Sequence, residues 1–456
     1  MYKLVLTKNE DYVKDTNVVA HILENHDKSD IKNNMKQILK KYNIGALNSI
    51  YEDLLIIGMS IFFGDKNFSR ENAYDRWTRE IDITIPVINI EKWTAVKEQL
   101  EKTLNFLSGD IWKLHFSKTD KVIYKNSKTD KKVLNNERID GISLFSGGLD
   151  SFCGAINLLE KNKNIIFVGF QEYKQLAKTQ NNLFDLLKNN YSNCNIHLQI
   201  INNSIRKKCF SEKMNDYSSE NTSRSRSFLF LCYAIAIAGI KNEYIPVYIP
   251  ENGFVGINVP MTESRIGSCS TRTTHPFFLK NLNEILSSVN INNKVENFFS
   301  TKTKKEIVNL SSSTKAFKDG YSNTISCSHP CSLSMRRDKI RTPCNCGYCY
   351  PCLIRRASLI DTEADNNNYG YNLNMKLIDT TKTKDSDLLA LLHSIYKYQL
   401  NTDLNIIRSK IRKVAQISST DIENYARIYN ETMLDMIKLL NLKEEFKELK
   451  EYADIK

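Results

Sequence analysis

Long apolar runs are what this chain has least of. The longest, FLFLCYAIAIAGI, covers only residues 228–240, whereas a membrane span needs about 20 residues. The expectation is therefore a buried core helix and no membrane partner. The opening residues, MYKLVLTKNEDYVKD, hold no apolar stretch of the secretory kind, which points to a cytoplasmic protein. No segment recurs at a fixed period, so neither a solenoid nor a propeller is expected. Also missing is G-x-x-x-x-G-K-[ST], the loop of enzymes that cleave the γ-phosphate of a nucleotide.

What is present is the composition of a globular protein: 456 residues, 41% hydrophobic and 25% charged. That length has room for two or three domains, each with its own core. Sixty-four Lys and Arg against 52 Asp and Glu leave a formal charge of +12. Such an excess favours a polyanionic partner: a nucleotide, a nucleic acid or an acidic protein. Of eleven cysteines, Cys327, Cys331, Cys344, Cys346, Cys349 and Cys352 crowd into one short region. In a reducing compartment such a cluster points to a metal rather than to disulfides. Cys153, Cys194, Cys209, Cys232 and Cys269 are scattered and read as small hydrophobic residues.

Three regions follow. Residues 1–137 carry Trp77, Trp93 and Trp112 and two alternating strands. IDITIPV sets Ile81, Ile83, Ile85 and Val87 on one face, and IWKLHFS does the same with Trp112, Leu114 and Phe116. Beside them, ALNSIYEDLLIIGMSIFFG reads as a helix passing into a strand. The expectation is a small α+β domain, closed by a polar linker at 125–140. Residues 138–380 alternate short apolar strands (ISLF, IIFVGF, NIHLQII, YIPVYIP) with helical segments, the pattern of an α/β domain with a mainly parallel sheet. Residues 381–456 read as a helical extension, with Thr420 and Glu423 spaced as a capping box.

The chemistry concentrates in GISLFSGGLDSFCGAINLL, residues 141–159. A Gly-rich turn between a parallel strand and a helix is an anion site: backbone N–H groups approach a phosphate and the helix dipole adds positive charge. Ser146 and Ser151 add hydroxyls. Asp150 would repel phosphate unless it holds Mg²⁺ or caps the loop, and this favours a magnesium–nucleotide site. The arrangement resembles the PP-loop of the ATP pyrophosphatases, which cleave ATP to AMP and pyrophosphate while adenylating an oxygen of their substrate.

CNCGYCYPC contains Cys346-x-x-Cys349-x-x-Cys352. Tetrahedral Zn²⁺ needs a fourth thiolate, and Cys327, Cys331 and Cys344 are the candidates. Arg336, Arg337, Lys339, Arg341, Arg355 and Arg356 surround the knot and offset its charge. Four protein ligands leave no open position, so a structural role is expected of this metal.

The two motifs together resemble the 7-cyano-7-deazaguanine synthase (QueC) family over residues 140–358. That resemblance implies a Rossmann-like PP-loop fold, ATP held by residues 145–155, and zinc on Cys327, Cys346, Cys349 and Cys352. SRSRSFLFL is similar to a Gly-Arg-Asn segment of the family, with Arg226 matching the arginine and Ser225 and Ser227 replacing its neighbours. FQEYKQLAK lacks the histidine usual after the second strand. The segment 251–276, with Arg265, Arg272 and His275, departs from the stand-alone synthase. The outer regions, above all YDRWTREIDITIPV (74–87), look like the QueC-like (QatC) proteins of Qat anti-phage systems.

These likenesses imply a C–N ligase. It would adenylate the carboxylate of 7-carboxy-7-deazaguanine or a similar deazapurine and join it to an amine, such as the N-terminus of a partner protein. Phe145, Ser146, Gly147, Gly148, Leu149, Asp150 and Ser151 would hold ATP, with Mg²⁺ near Asp150. Asp150, Ser151 and Arg226 would be catalytic. Arg226, Arg272, Thr273 and His275, with the hydroxyls of Ser268, Ser270 and Thr271, would face the substrate. Ammonia as acceptor, a tRNA-modifying enzyme and an ATP-binding scaffold are the competing expectations; the sequence leaves the acceptor and the oligomeric state open.

Overall fold

A computed structural model describes residues 2–12, 18–24, 27–125, 137–171, 173–206, 220, 223–261, 272–328, 330, 343–362, 369 and 383–456. Cys331, Arg265, Ser268, Ser270, Thr271 and the basic residues between 336 and 341 lie outside them, as does most of the linker expected at 125–140.

Two parallel sheets make the frame. The first has the order β2-β1-β4-β5, formed by β1 (Tyr2–Thr7), β2 (Val18–His21), β4 (Glu80–Val87) and β5 (Ile111–Lys118). Ile81, Ile83, Ile85 and Val87 are buried along one stripe, as their alternation predicts. All pairings in this sheet are parallel. This corrects the expected α+β character: helices α3 (Ile90–Ala95) and α4 (Lys97–Ser108) cross over between β4 and β5, so the first region is itself an α/β unit. ALNSIYEDLLIIGMSIFFG departs from expectation too. It contains one unbroken helix, α2 (Ser49–Asn67), started by the Asn48 side chain accepting from the Ile50 N–H. An apolar run hydrophobic on every side fits a helix buried all round as well as a strand.

The second sheet has the order β11-β10-β6-β7-β8 and is also wholly parallel. Its strands are β6 (Gly141–Leu144), β7 (Ile165–Phe170), β8 (Ile196–Ile201), β10 (Val247–Tyr248) and β11 (Val295–Glu296). Ile142, Leu144, Ile166 and Val168 face one core, which also contains α2 and the first sheet. Ile165 and Phe167 face another, with Phe145, Leu149 and Phe152 of the following loop and helix. A short antiparallel pair, β3 (Ile31–Asn33) with β9 (Asn203–Ile205), ties the two regions again. The first region thus covers one face of the second sheet, and a single hydrophobic core runs through both.

From β6 the chain steps outward to β7 and β8, then returns to lay β10 on the other side of β6. The carboxyl ends of β6 and β10 therefore flank the topological switch point, where open α/β sheets bind ligands. The helices entering β10 and β11, α7 (Arg226–Lys241) and α9 (Pro276–Ser288), run antiparallel to the strands, so both begin at this edge.

The third core gathers the helices after residue 383, α12 (Tyr350–Leu359) and the cysteine cluster. Its long helix, α15 (Ser419–Leu442), starts at Ser418, whose hydroxyl accepts from the Asp421 N–H. The capping box expected at Thr420 and Glu423 is therefore corrected: Glu423 instead pairs with Arg408.

Candidate functional site

Residues 145–151 leave β6 at the switch point and open helix α5 (Leu149–Glu160). The turn needs Gly147, whose φ of +84° lies in the left-handed region that disfavours a side chain. The Ser146 hydroxyl is 3.1 Å from that of Ser151, which donates to the Gly148 carbonyl at 3.0 Å. Ser146 is exposed, Gly148 is half-buried, and Phe145 and Leu149 are core residues. The loop is braced from afar. Ile325 N–H donates to the Gly147 carbonyl, Leu149 N–H donates to the Ser326 hydroxyl, and the Gln180 amide donates to the carbonyls of Phe145 and Ser146.

Asp150 points inward. Lys304 donates to its Oδ1 at 2.5 Å, and Asn252 donates to its Oδ2 at 2.7 Å. Asn252 also donates to Glu251 at 2.9 Å. Burial would raise the Asp150 pKa, but the Lys304 ammonium and hydrogen bonds from Glu251, Lys304 and Asn252 outweigh it and hold the carboxyl well below its usual range. Glu251 moves the other way: burial first, then the Asp150 charge and the hydrogen bond to it, push its carboxyl well up. The two carboxyls are thus driven in opposite directions. With 5% of its surface exposed and both oxygens taken by protein donors, Asp150 does not fit as a Mg²⁺ ligand in this arrangement. The expectation of Mg²⁺ beside it is corrected accordingly: the carboxylate anchors a lysine behind the loop. Lys304, Glu251, Asn252, Gln180 and Ser326 were not foreseen from sequence.

Arg226 is the first residue of α7 and so stands at the loop's edge of the sheet. What fixes that helix start is Asp65 at the end of α2, whose Oδ2 accepts from Arg224 N–H, Ser225 N–H and the Ser225 hydroxyl. Asp65 belongs to a buried network with Arg79, the second arginine of YDRWTRE, whose Nη2 lies 2.6 Å from Asp65 and 2.7 Å from Asp110. Arg70 binds Asp110 through both Nη atoms at 2.8 Å.

Arg272, Thr273 and His275 lie at the start of α9, against α4 of the first region. The Arg272 guanidinium stacks on Phe106 at 4.9 Å, and the His275 ring meets the same phenyl edge-on at 5.0 Å. His275 is fully buried, and its Nδ1 caps α9 by accepting from Phe277 N–H. Burial, with Arg272 adding to it, drives its pKa down to about 3, which makes it a poor proton carrier near neutrality. No hydrogen bond or ion pair joins these three residues to the loop among the described residues. Cys153 beside the loop is buried, and this together with the Asp150 charge pushes its thiol up to about 12, so it offers no thiolate nucleophile.

Cys327, Cys346, Cys349 and Cys352 come together, all four sulfurs within 4.8 Å of one another. A tetrahedral zinc with Zn–S bonds of about 2.3 Å has S···S edges of about 3.8 Å. Cys327–Cys349 is 3.8 Å and Cys346–Cys352 is 3.7 Å. The Cys349 N–H donates to the Cys346 sulfur at 3.2 Å, as the turn through Gly347, at φ +94°, allows. The cluster could hold a metal ion such as zinc. Cys344 stays outside the four, half-exposed. Cys327 directly follows the Ser326 that braces the loop, so knot and loop share one strap of chain.

No protein-family model and no curated protein matches this sequence.

Proposed function

We propose that this protein is a QueC-like ATP-dependent ligase that adenylates a deazapurine carboxylate and transfers it to an amine. The observation that carries the reading is the position of Ser146–Ser151: a Gly-rich, donor-rich loop opening a helix at the switch point of a parallel sheet. The exposed Ser146 hydroxyl and the N–H groups at the start of α5 hold the phosphates of ATP. Lys304, kept in place by Asp150, contributes positive charge from behind.

The substrate carboxylate attacks the α-phosphorus; the bond to the bridging oxygen breaks and pyrophosphate leaves, forming an acyl-adenylate. The amine then attacks the acyl carbon, loses a proton, and AMP departs. Holding and neutralising the phosphates is the protein's main contribution. Arg226, at the same edge, is the candidate partner for phosphate or carboxylate. Zinc on the four cysteines holds the strap that braces the loop and takes no part in the reaction. The N-terminus of a partner protein, in an anti-phage system of the cytoplasm, is the proposed acceptor.

Purified protein with ATP, Mg²⁺ and 7-carboxy-7-deazaguanine should release AMP only when the deazapurine is present. ADP, or no nucleotide product, overturns the reading. Intact mass of co-expressed neighbouring proteins tests the acceptor: no deazapurine-sized gain removes the protein N-terminus and leaves ammonia.

A further inference from the structure

Arg224, which is buried, and Arg272, which is half-buried, are unlike the buried Arg70 and Arg79 at this edge. Arg70 and Arg79 share the carboxylates of Asp65 and Asp110, while among the described residues neither Arg224 nor Arg272 has a carboxylate partner. Each lies on an aromatic ring, Arg224 over Trp77 at 4.5 Å and Arg272 over Phe106 at 4.9 Å. Each spends one N–H on the last turn of α4, Arg224 on the Ser108 carbonyl at 2.7 Å and Arg272 on that of Phe106 at 2.9 Å. The carboxyl end of a helix favours cations, which accounts for their anchorage. It does not account for the rest of two guanidinium forks.

Three further groups in the same short segment lack a partner among the described residues. Arg272 Nε, Thr273 Oγ1 and His275 Nε2 are buried and make no hydrogen bond. With Nδ1 accepting from Phe277 N–H, the proton of neutral His275 sits on Nε2. All three are therefore available as donors, and buried donors without acceptors are rare in folded proteins. Burial and the nearby charges of Arg70 and Arg272 also bring Arg224 down to about 10, against the pull of Asp110 and Asp65. Among the described residues, cations and donors are in surplus here, and the missing component is an anionic acceptor.

We propose that Arg224 and Arg272 form an oxyanion-binding site, for a phosphate or carboxylate group, where the first region meets the carboxyl edge of the second sheet. It adds a second anion position to the proposed ligase, yet its test does not depend on that reaction. A guanidinium held flat on an aromatic ring suits a planar or tetrahedral oxyanion.

Trp93 and Trp112 are buried in the core, so Trp77 is the reporter. The full-length protein is titrated separately with sodium pyrophosphate and sodium benzoate while tryptophan emission is followed. A saturable change that Trp77→Phe removes is expected, with at least tenfold weaker binding in Arg272→Gln and in Arg224→Gln. The ligand should also raise the melting temperature of the wild type by more than that of Arg272→Gln. A response to pyrophosphate alone assigns phosphate, and one to benzoate alone assigns carboxylate. If neither anion gives a response, the arginines only cap α4 and the proposal falls. It falls equally if Ser146→Ala abolishes the response, because the anion then sits in the loop.

Discussion

Two buried ionic clusters in this molecule are built to different rules. In the first, Arg70 and Arg79 face Asp65 and Asp110: two cations, two anions, and every carboxylate oxygen hydrogen-bonded. In the second, Asp150 and Glu251 face Lys304 as the one paired cation among the described residues, and the Glu251 carboxyl is pushed up while that of Asp150 is held down. The balanced cluster bolts α2 and the first sheet to the start of α7. The unbalanced one lies where β6 and β10 part, with the Gly-rich loop directly above it. A satisfied network has nothing left to offer a ligand, whereas a network short of one cation can respond to charge arriving nearby.

The sharpest way to break the comparison is Arg79→Met. It strands two buried carboxylates and should cost about 3–5 kcal/mol, read by urea denaturation; a loss under about 1 kcal/mol would mean that the network is not the bolt. Lys304→Met comes next, at about 3 kcal/mol, with AMP formation lost as well. Unchanged AMP formation there would remove the lysine from the proposed chemistry.

Glu251→Gln separates the clusters by pH. The raised carboxyl of Glu251 contributes stability that is complete below its ordinary 4.5 and is lost as pH rises through the higher folded value. The glutamine variant should therefore hold its stability better than wild type from pH 5 upward. The lowered carboxyl of Asp150 contributes above its ordinary 3.8, and that contribution fades only as pH falls through the lower folded value. Parallel wild-type and Glu251→Gln profiles would deny the raised Glu251 carboxyl. The smallest effect belongs to Ser326→Ala, which removes one brace of the loop. About 1 kcal/mol is expected, with faster amide exchange at Leu149 and the cysteine cluster intact.

Much of the site was legible because its signals are local. The Ser-Gly-Gly-x-Asp-Ser turn and the Cys-x-x-Cys-x-x-Cys run each state their geometry within a few residues. The fourth cysteine was open among three candidates until Cys327 was seen beside the others. Lys304, Asn252 and Ser326 carry no local mark and reach the loop from 154, 102 and 177 residues away. His275 shows the converse: a histidine before proline, in a hydroxyl-rich segment, read as facing the substrate, and the fold buries it against Phe106 with its Nδ1 spent on capping α9.

The sequence by itself determined the alternation of strands and helices in the second region, the turn that opens α5, and the cysteine spacing that a tetrahedral metal demands. Each depends on periodicity or backbone geometry over a few neighbouring residues. Only the tertiary structure decided that the first region is parallel as well, that its helix α2 shares a core with the second sheet, and that Asp150 turns toward a lysine instead of outward. The reason is physical. Strand partners, burial and the charge facing a carboxylate are set by groups distant along the chain, and packing alone brings them together.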